Sequence, residues 1–178
     1  MSALNCEKMM EIVACKDALE AKDDWLEFSE LTFNCNGLRN LMASSTAKTM
    51  VQLKTMKVIL CSKLEQIVSN EGSEEGKVIK IVFNKLITVE LEGLKKKRSF
   101  CSYKECEFEF PSLEIVIVRE CPKMEKFSER ESITPKLKNV FGVEGDEKAQ
   151  WHWEGHLNAT IQNVLNHNVS VAFVLYRR

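Results

Sequence analysis

The sequence predicts an α/β solenoid, in which short repeats stack so that their strands form one parallel sheet. Three observations support this prediction: an apolar pattern recurs along the chain, its copies are regularly spaced, and each copy changes its apolar period midway. The clearest copy runs from Leu113 to Phe127, where apolar residues alternate ahead of Cys121 and recur at every third position after it. The two-residue period predicts a strand, and the three-residue period predicts a tight turn.

The position of Cys121 defines an anchor that recurs through the chain. The anchors are Cys6, Cys35, Cys61, Leu94 and Cys121, and they lie 29, 26, 33 and 27 residues apart. Such spacing is typical of leucine-rich repeats of roughly 20 to 29 residues, and the longest interval contains the polar insertion Asn70–Lys77. With a degenerate unit around Leu137 and Val140, the pattern predicts an irregular stack of about five to six units. We expect a parallel concave sheet and a convex side that is irregular or formed by short helices.

The strand half of the repeat has the same register in three units. Its apolar positions are Leu53, Met56 and Val58, then Leu86, Val89 and Leu91, then Leu113, Val116 and Val118. In the unit of Cys35, however, Leu31 and Phe33 lie one residue closer to the anchor than this pattern requires. We therefore predict a local register shift in that unit.

Two further segments have helical patterns. Ala43 to Leu53 predicts a helix with Ser44 or Ser45 as its N-cap and with Met50 and Leu53 turned inward. Near the end of the chain, Leu157, Ile161, Val164 and Leu165 fall on one helical face, so residues 157–165 predict an amphipathic helix that closes the stack. Alternating apolar residues from Val169 to Leu175 predict one more strand.

These elements suggest one leucine-rich-repeat domain over residues 1–178. Residues 28–151 are assigned to the repeats, and 152–178 to a C-terminal cap and tail. Residues 1–27 are interpreted as a partial first repeat or an N-terminal cover. Only five residues precede Cys6, so we expect most of the first strand to be missing.

Composition excludes several classes of partner. The 178 residues carry a formal net charge of -1, which gives no electrostatic basis for binding nucleic acid or an anionic membrane. No apolar run reaches the roughly 18 residues needed to span a bilayer, and the N-terminus lacks a signal-peptide pattern. We therefore expect a cytoplasmic protein. The run Lys95–Arg98 fits a nuclear-localisation pattern, although we interpret it as a solvated turn.

Neither catalysis nor a bound cofactor is predicted. The seven cysteines are expected to stay reduced, and the anchor cysteines are interpreted as small core residues because Leu94 fills the same position. His152, Glu154 and His156 form the one cluster with metal-ligand chemistry, but Gly155 argues against one helix presenting both histidines. The alternative interpretation is a small metal-binding or enzymatic protein that uses this cluster and the free cysteines.

Three segments carry a resemblance to a known family. Cys35–Val58, Phe110–Ser128 and Trp151–Gln162 resemble the C-terminal leucine-rich repeats of plant disease-resistance proteins, the nucleotide-binding leucine-rich-repeat receptors of the coiled-coil class. The resemblance implies a non-catalytic module of defence whose partner is a pathogen effector, a guarded host protein or another receptor domain. The sequence contains no G-x-x-x-x-G-K-[ST] phosphate loop, so the nucleotide switch of that family is absent. A gene fragment without independent function is a further alternative.

In a leucine-rich repeat, strand residues between the core positions face the concave side, where partners usually bind. Here these residues are Thr55, Lys57, Ile59, Thr88, Glu90, Glu92, Ile115, Ile117, Arg119, Asn139, Phe141 and Val143. Four of them, on the last two strands, are apolar where polar residues would be ordinary, and exposed apolar clusters mark interaction sites. We hypothesise a protein-binding patch there; the alternative is that the apolar C-terminal tail covers it.

Overall fold

The chain folds into a parallel β-solenoid stack, as the sequence predicts, but it contains less helix than the expected α/β class. The structure is a computed structural model and describes residues 2–5, 29–69, 77–96, 99–101, 103–142, 150–151, 153 and 155–164. In chain order its elements are β1 (Ser2–Asn5), β2 (Glu30–Asn34), β3 (Asn40–Ala43), α1 (Ser44–Thr49), β4 (Thr55–Ile59), β5 (Gln66–Ser69), β6 (Ile79–Val82), β7 (Thr88–Glu92), β8 (Cys106–Glu109), β9 (Ile115–Arg119), β10 (Asn139–Phe141), β11 (Gln150–Trp151) and α2 (157–164).

The main sheet has the order β1-β2-β4-β7-β9-β10-β11, and every pair in it is parallel except β10 with β11. The chain makes about four turns from β2 to β10, while the exact count of units stays a prediction. Ser2–Asn5 pairs with β2 along its whole length. The expectation that most of the first strand is missing was therefore wrong, because four residues are enough to form a strand here.

The apolar positions predicted for the strands form continuous rows in the core. Leu31 pairs with Met56, Met56 with Val89, Val89 with Val116 and Val116 with Val140. Each of these side chains is at most 1% exposed. A one-residue slip would turn a whole row to the other face of the sheet, so burial of this row fixes the register of the stack.

The register shift predicted for the unit of Cys35 is confirmed, and its cause is the residue that precedes each anchor. Leu60, Gly93 and Glu120 occupy this position in three units and have φ values of 55°, 65° and 49°. Asn34 precedes Cys35 and, within the described residues, is not among those with positive φ. This unit therefore lacks the left-handed residue, and its strand stays in register while its anchor comes one position earlier.

The side opposite the main sheet is built largely from short strands. β3 pairs with β5, and β6 pairs with β8, both in parallel. The helix predicted over residues 43–53 is shorter than expected, since α1 has six residues. Met50 and Leu53 are buried as predicted, but both lie beyond the end of α1.

The predicted serine cap of α1 was wrong. Ala43 occupies the N-cap with extended backbone and makes no side-chain hydrogen bond there, because β3 runs through Ala43 directly into the helix. Ser44 is the first helical residue and is only 7% exposed. A buried strand therefore leads directly into the serines, and neither of them occupies the N-cap.

An aromatic cluster fills the core behind the last repeats. It contains Phe83, Phe100, Phe108, Phe110 and Phe127, each at most 1% exposed. Phe100 stacks on Phe127 with ring centroids 4.7 Å apart and meets Phe108 edge to face at 5.4 Å. Both arrangements are favourable for aromatic quadrupoles, so Phe100 links the turns that carry its two partners.

The amphipathic helix predicted near the C-terminus is confirmed over residues 157–164. Leu157, Ile161 and Val164 are buried at 1% exposure or less. Val164 lies very close to Gly142, and a methyl group on Gly142 would overlap with the Cγ1 atom of Val164. Leu165 and the predicted strand from Val169 to Leu175 lie outside the described residues.

Asn158, at the start of α2, completes a backbone ladder on the side opposite the main sheet. Earlier in the stack, the amides of Ile67 and Val68 both donate to the carbonyl oxygen of Phe100, at 3.2 and 3.4 Å. At the end of the stack, the amides of Phe127 and Ser128 donate to Asn158 Oδ1, at 2.8 and 3.1 Å. Asn158 Nδ2 also donates to the Ser128 carbonyl at 2.9 Å. The amide side chain therefore takes the place of the next repeat's backbone.

Candidate protein-binding surface

The predicted binding residues lie on one face of the main sheet. We use the term outer face for the side of β2, β4, β7, β9 and β10 that is turned away from the core. Strands β4 and β9 alternate half-buried and buried residues, so every second side chain belongs to this face. Its members among the predicted residues are Thr55, Lys57, Ile59, Thr88, Glu90, Glu92, Ile115, Ile117, Arg119, Asn139 and Phe141. Val143 lies outside the described residues.

Parallel pairing without slippage arranges these residues in rows that cross the strands. In the central row, Thr32, Lys57, Glu90, Ile117 and Phe141 follow one another on successive strands. Neighbouring strands are about 4.8 Å apart, so side chains within a row are in contact range. The row changes from polar through charged to apolar along the stack.

Charged side chains occupy the middle of the outer face. Lys57 Nζ lies 2.7 Å from Glu90 Oε2, and Arg119 Nη1 lies 3.8 Å from Glu90 Oε1 and 3.9 Å from Glu92 Oε2. Glu90 is buried, with its side chain 10% exposed. Burying a carboxylate is costly unless a partner compensates its charge, and the cations on the two flanking strands provide that compensation.

Apolar side chains occupy the outer face on the last two parallel strands. We use the term apolar patch for Ile115, Ile117 and Phe141. Ile117 pairs with Phe141, and Ile115 pairs with Asn139, so the three lie side by side on β9 and β10. All three are half-buried, although the repeat does not need them for its core. The structure therefore brings together three of the four apolar residues that the sequence singled out.

The structure has a second surface feature, which the sequence did not predict. An open groove of about 390 Å³ on the opposite side is lined by Glu107, Phe108, Glu109, Arg130, Glu131 and Ile133. Arg130 Nη1 lies 2.7 Å from Glu107 Oε1, and Lys80 Nζ lies 2.6 Å from Glu109 Oε1. Ile133 is 57% exposed. Most charges of the groove are paired within the chain, which leaves little for a ligand to neutralise.

Three anchor cysteines, Cys35, Cys61 and Cys121, are buried, as expected for core residues, whereas Cys6 lies outside the described residues. The thiols of Cys61 and Cys121 also donate hydrogen bonds. Cys61 Sγ lies 3.5 Å from the Ile59 carbonyl, and Cys121 Sγ lies 3.1 Å from the Arg119 carbonyl. A leucine at the anchor cannot make this contact. The thiols thus satisfy carbonyl groups at the ends of the strands.

Cys101 and Cys106 interact in the core at the base of the aromatic cluster. Two effects raise the pKa of Cys106 far above its ordinary value: the larger is a hydrogen bond to Cys101, and the second is burial. The thiolate is the reactive form of cysteine. Because Cys106 is held in the thiol form, it is poorly suited to nucleophilic chemistry.

The cluster considered as a metal site is only partly described. His152 and Glu154 lie outside the described residues, and His156 Nδ1 contacts the carboxylate of Glu131. Gly155 has a φ of 86°, a left-handed conformation that interrupts any helix through this segment. In the part of the chain that the structure describes, no three His, Cys, Asp or Glu side chains are grouped to hold a metal ion. Over the same residues, no helix is long and apolar enough to cross a membrane.

The chain has a parallel stack of strands, continuous rows of buried strand residues and anchors, and strands that alternate buried and half-buried side chains. These features define the class of leucine-rich-repeat solenoids. The family comparison is more specific. Residues 2–140 match the family model described as plant disease resistance protein RPS2-like, leucine-rich repeats, and the chain belongs to this family. Searches of curated proteins and of solved structures return no match.

Proposed function

We propose that this chain is a non-catalytic protein-interaction module of plant defence and that it binds its partner through the outer face. Membership of the disease-resistance family supports the role in defence. The main support for this binding site is the apolar patch, because it lies where the repeat has no structural need for apolar side chains. The same proposal includes a relation to coiled-coil-class receptors and a cytoplasmic location for this chain. Its partner is a pathogen effector, a guarded host protein or another receptor domain.

The geometry of the patch supports this role. Partner-binding surfaces combine an apolar centre with a polar rim. On the outer face, Glu90 pairs with Ile117 from the preceding strand, and Asn139 pairs with Ile115 from the next. Arg119 lies two residues after Ile117 on β9, so polar groups border the apolar patch. The rigid ladder holds these groups in fixed positions, so little conformational entropy would be lost on binding.

An affinity pull-down from plant tissue tests the proposal. The wild-type chain is compared with Ile117→Asp, which places a charge in the centre of the apolar patch. Ile133→Asp is the matched control, because it makes the same change at an exposed isoleucine on the opposite side. Thermal unfolding of all three chains establishes that the variants are folded.

We expect Ile117→Asp to reduce recovery of the bound protein at least tenfold, since desolvating a carboxylate at the apolar centre of the interface costs more than about 2 kcal/mol. Ile133→Asp should retain the wild-type recovery. If both variants recover the same proteins in wild-type amounts, binding through the outer face is wrong.

A further inference from the structure

The guanidinium of Arg119 is the cation on the outer face with the least complete pairing. Its side chain is 34% exposed, and its nearest carboxylate oxygens, on Glu90 and Glu92, lie at 3.8 and 3.9 Å. These distances exceed the 2.7 to 2.9 Å typical of a charge-assisted hydrogen bond. A guanidinium carries five N–H donors, so Arg119 has donor capacity that neither glutamate takes up.

Glu90 is already engaged by a closer partner. Lys57 Nζ lies 2.7 Å from its Oε2 atom, on the strand before it. A carboxylate that is paired at this distance gains little from moving toward a second cation. Among the described residues, Glu92 is therefore the neighbour without a closer cation of its own, and it competes most for Arg119.

The backbone of Arg119 is fixed by two hydrogen bonds to its carbonyl oxygen. The carbonyl oxygen accepts hydrogen bonds from the Gly93 amide at 3.1 Å and from Cys121 Sγ at 3.1 Å. Two residues earlier on the same face of β9 lies Ile117, at the centre of the apolar patch. Alternate residues of a strand are about 6.6 to 6.8 Å apart, so one partner segment can reach both.

We infer that the outer face recognises a protein segment in which an aspartate or glutamate lies next to an aliphatic or aromatic side chain. The apolar side chain packs on Ile115, Ile117 and Phe141, and the carboxylate accepts hydrogen bonds from Arg119. The inference rests on the proposed function, because it names the chemistry of the partner for the same surface. Glu92 competes with the ligand carboxylate for Arg119, and this competition sets how strongly acidic segments are preferred.

Selection from a random peptide library tests this chemistry without a known partner. The library is selected on the wild-type chain and, in parallel, on Ile117→Asp. The acidic residue of each enriched peptide is then replaced by its amide. Affinities of both forms are measured by fluorescence polarisation on wild type, Arg119→Gln, Arg119→Lys and Glu92→Gln.

We expect peptides with an acidic residue beside an apolar one, binding wild type about five to tenfold more tightly than their amide forms, a range that allows for partial solvent screening. Arg119→Gln should bring this ratio of affinities close to one. Arg119→Lys should give a ratio between one and the wild-type value, and Glu92→Gln should raise the ratio above the wild-type value. Enriched peptides without acidic residues, or an unchanged ratio on Arg119→Gln, would overturn the acidic preference while binding at the face stands. Equal enrichment on Ile117→Asp would instead overturn the proposed function.

Discussion

Replacement of Asn158 by alanine tests how the end of the stack is closed. The side chain accepts hydrogen bonds from the amides of Phe127 and Ser128 and donates one to the Ser128 carbonyl. Asn158→Ala removes all three and leaves two partly buried amides without this acceptor. At this end of the stack, the Asn158 side chain takes the place of the backbone of a further repeat. Asn158→Ala therefore acts on the last rung of the backbone hydrogen-bond ladder.

The expected cost follows from the groups left unpaired. Each partly buried donor that loses its partner costs about 1 to 2 kcal/mol, the lower part of the range for buried groups. Two such amides give a loss of about 2 to 4 kcal/mol in the free energy of unfolding. Asn158→Asp keeps an acceptor for the two amides but loses the donor, and its carboxylate meets the Ser128 carbonyl, so its loss should be intermediate.

Amide hydrogen exchange is the direct assay, combined with urea unfolding. Exchange at Phe127 and Ser128 should accelerate in Asn158→Ala by at least tenfold, while amides of β4 and β7 change little because a solenoid transmits effects mainly to neighbouring units. Gln162→Ala, at an exposed position of α2, is the control and should lie within about 0.5 kcal/mol of wild type. Unchanged exchange at Phe127 and Ser128 would refute the closing role of Asn158.

Three other outcomes are expected. Phe100→Ala should lower the free energy of unfolding by about 3 to 5 kcal/mol, because it empties the centre of the aromatic cluster; a loss below 1 kcal/mol in urea unfolding would contradict that packing. Glu120→Gly should raise it by about 0.5 to 1 kcal/mol, since glycine removes left-handed strain at an exposed site, and lower stability would count against this. Because the pKa of Cys106 is raised in the folded state, the unfolded chain loses this proton first, so stability should fall as pH rises above about 8.5. Cys106→Val should show a shallower fall between pH 8 and 10, and identical slopes would contradict the raised pKa.

The core rows and the outer face were predictable from the sequence because both follow from alternation along a strand. Met56 and Val58 have to share a face, and Lys57 has to lie on the other. The repeat interval then aligned the strands, which made the pairing of Ile117 with Phe141 foreseeable. The register shift at Cys35 was also visible as one missing residue, although its cause required the backbone conformation of Leu60.

Other features depended on neighbours that are distant in sequence. Asn158 contacts residues about 30 positions earlier, and its sequence context suggests only an exposed helix start or a chance glycosylation motif. The burial of Glu90 depends on Lys57 and Arg119, which lie on two other strands, so the sequence around Glu90 does not reveal it. The start of α1 depends on β3, which runs through Ala43 directly into the helix.

The most direct test of the account is photo-crosslinking from the centre of the apolar patch. A photoreactive amino acid replaces Ile117 in one chain and Ile133 in another, and both chains are expressed in plant cells. We predict that the protein recovered in the pull-down is crosslinked from position 117 and not from position 133. Crosslinking of that protein from position 133 alone would contradict binding through the outer face.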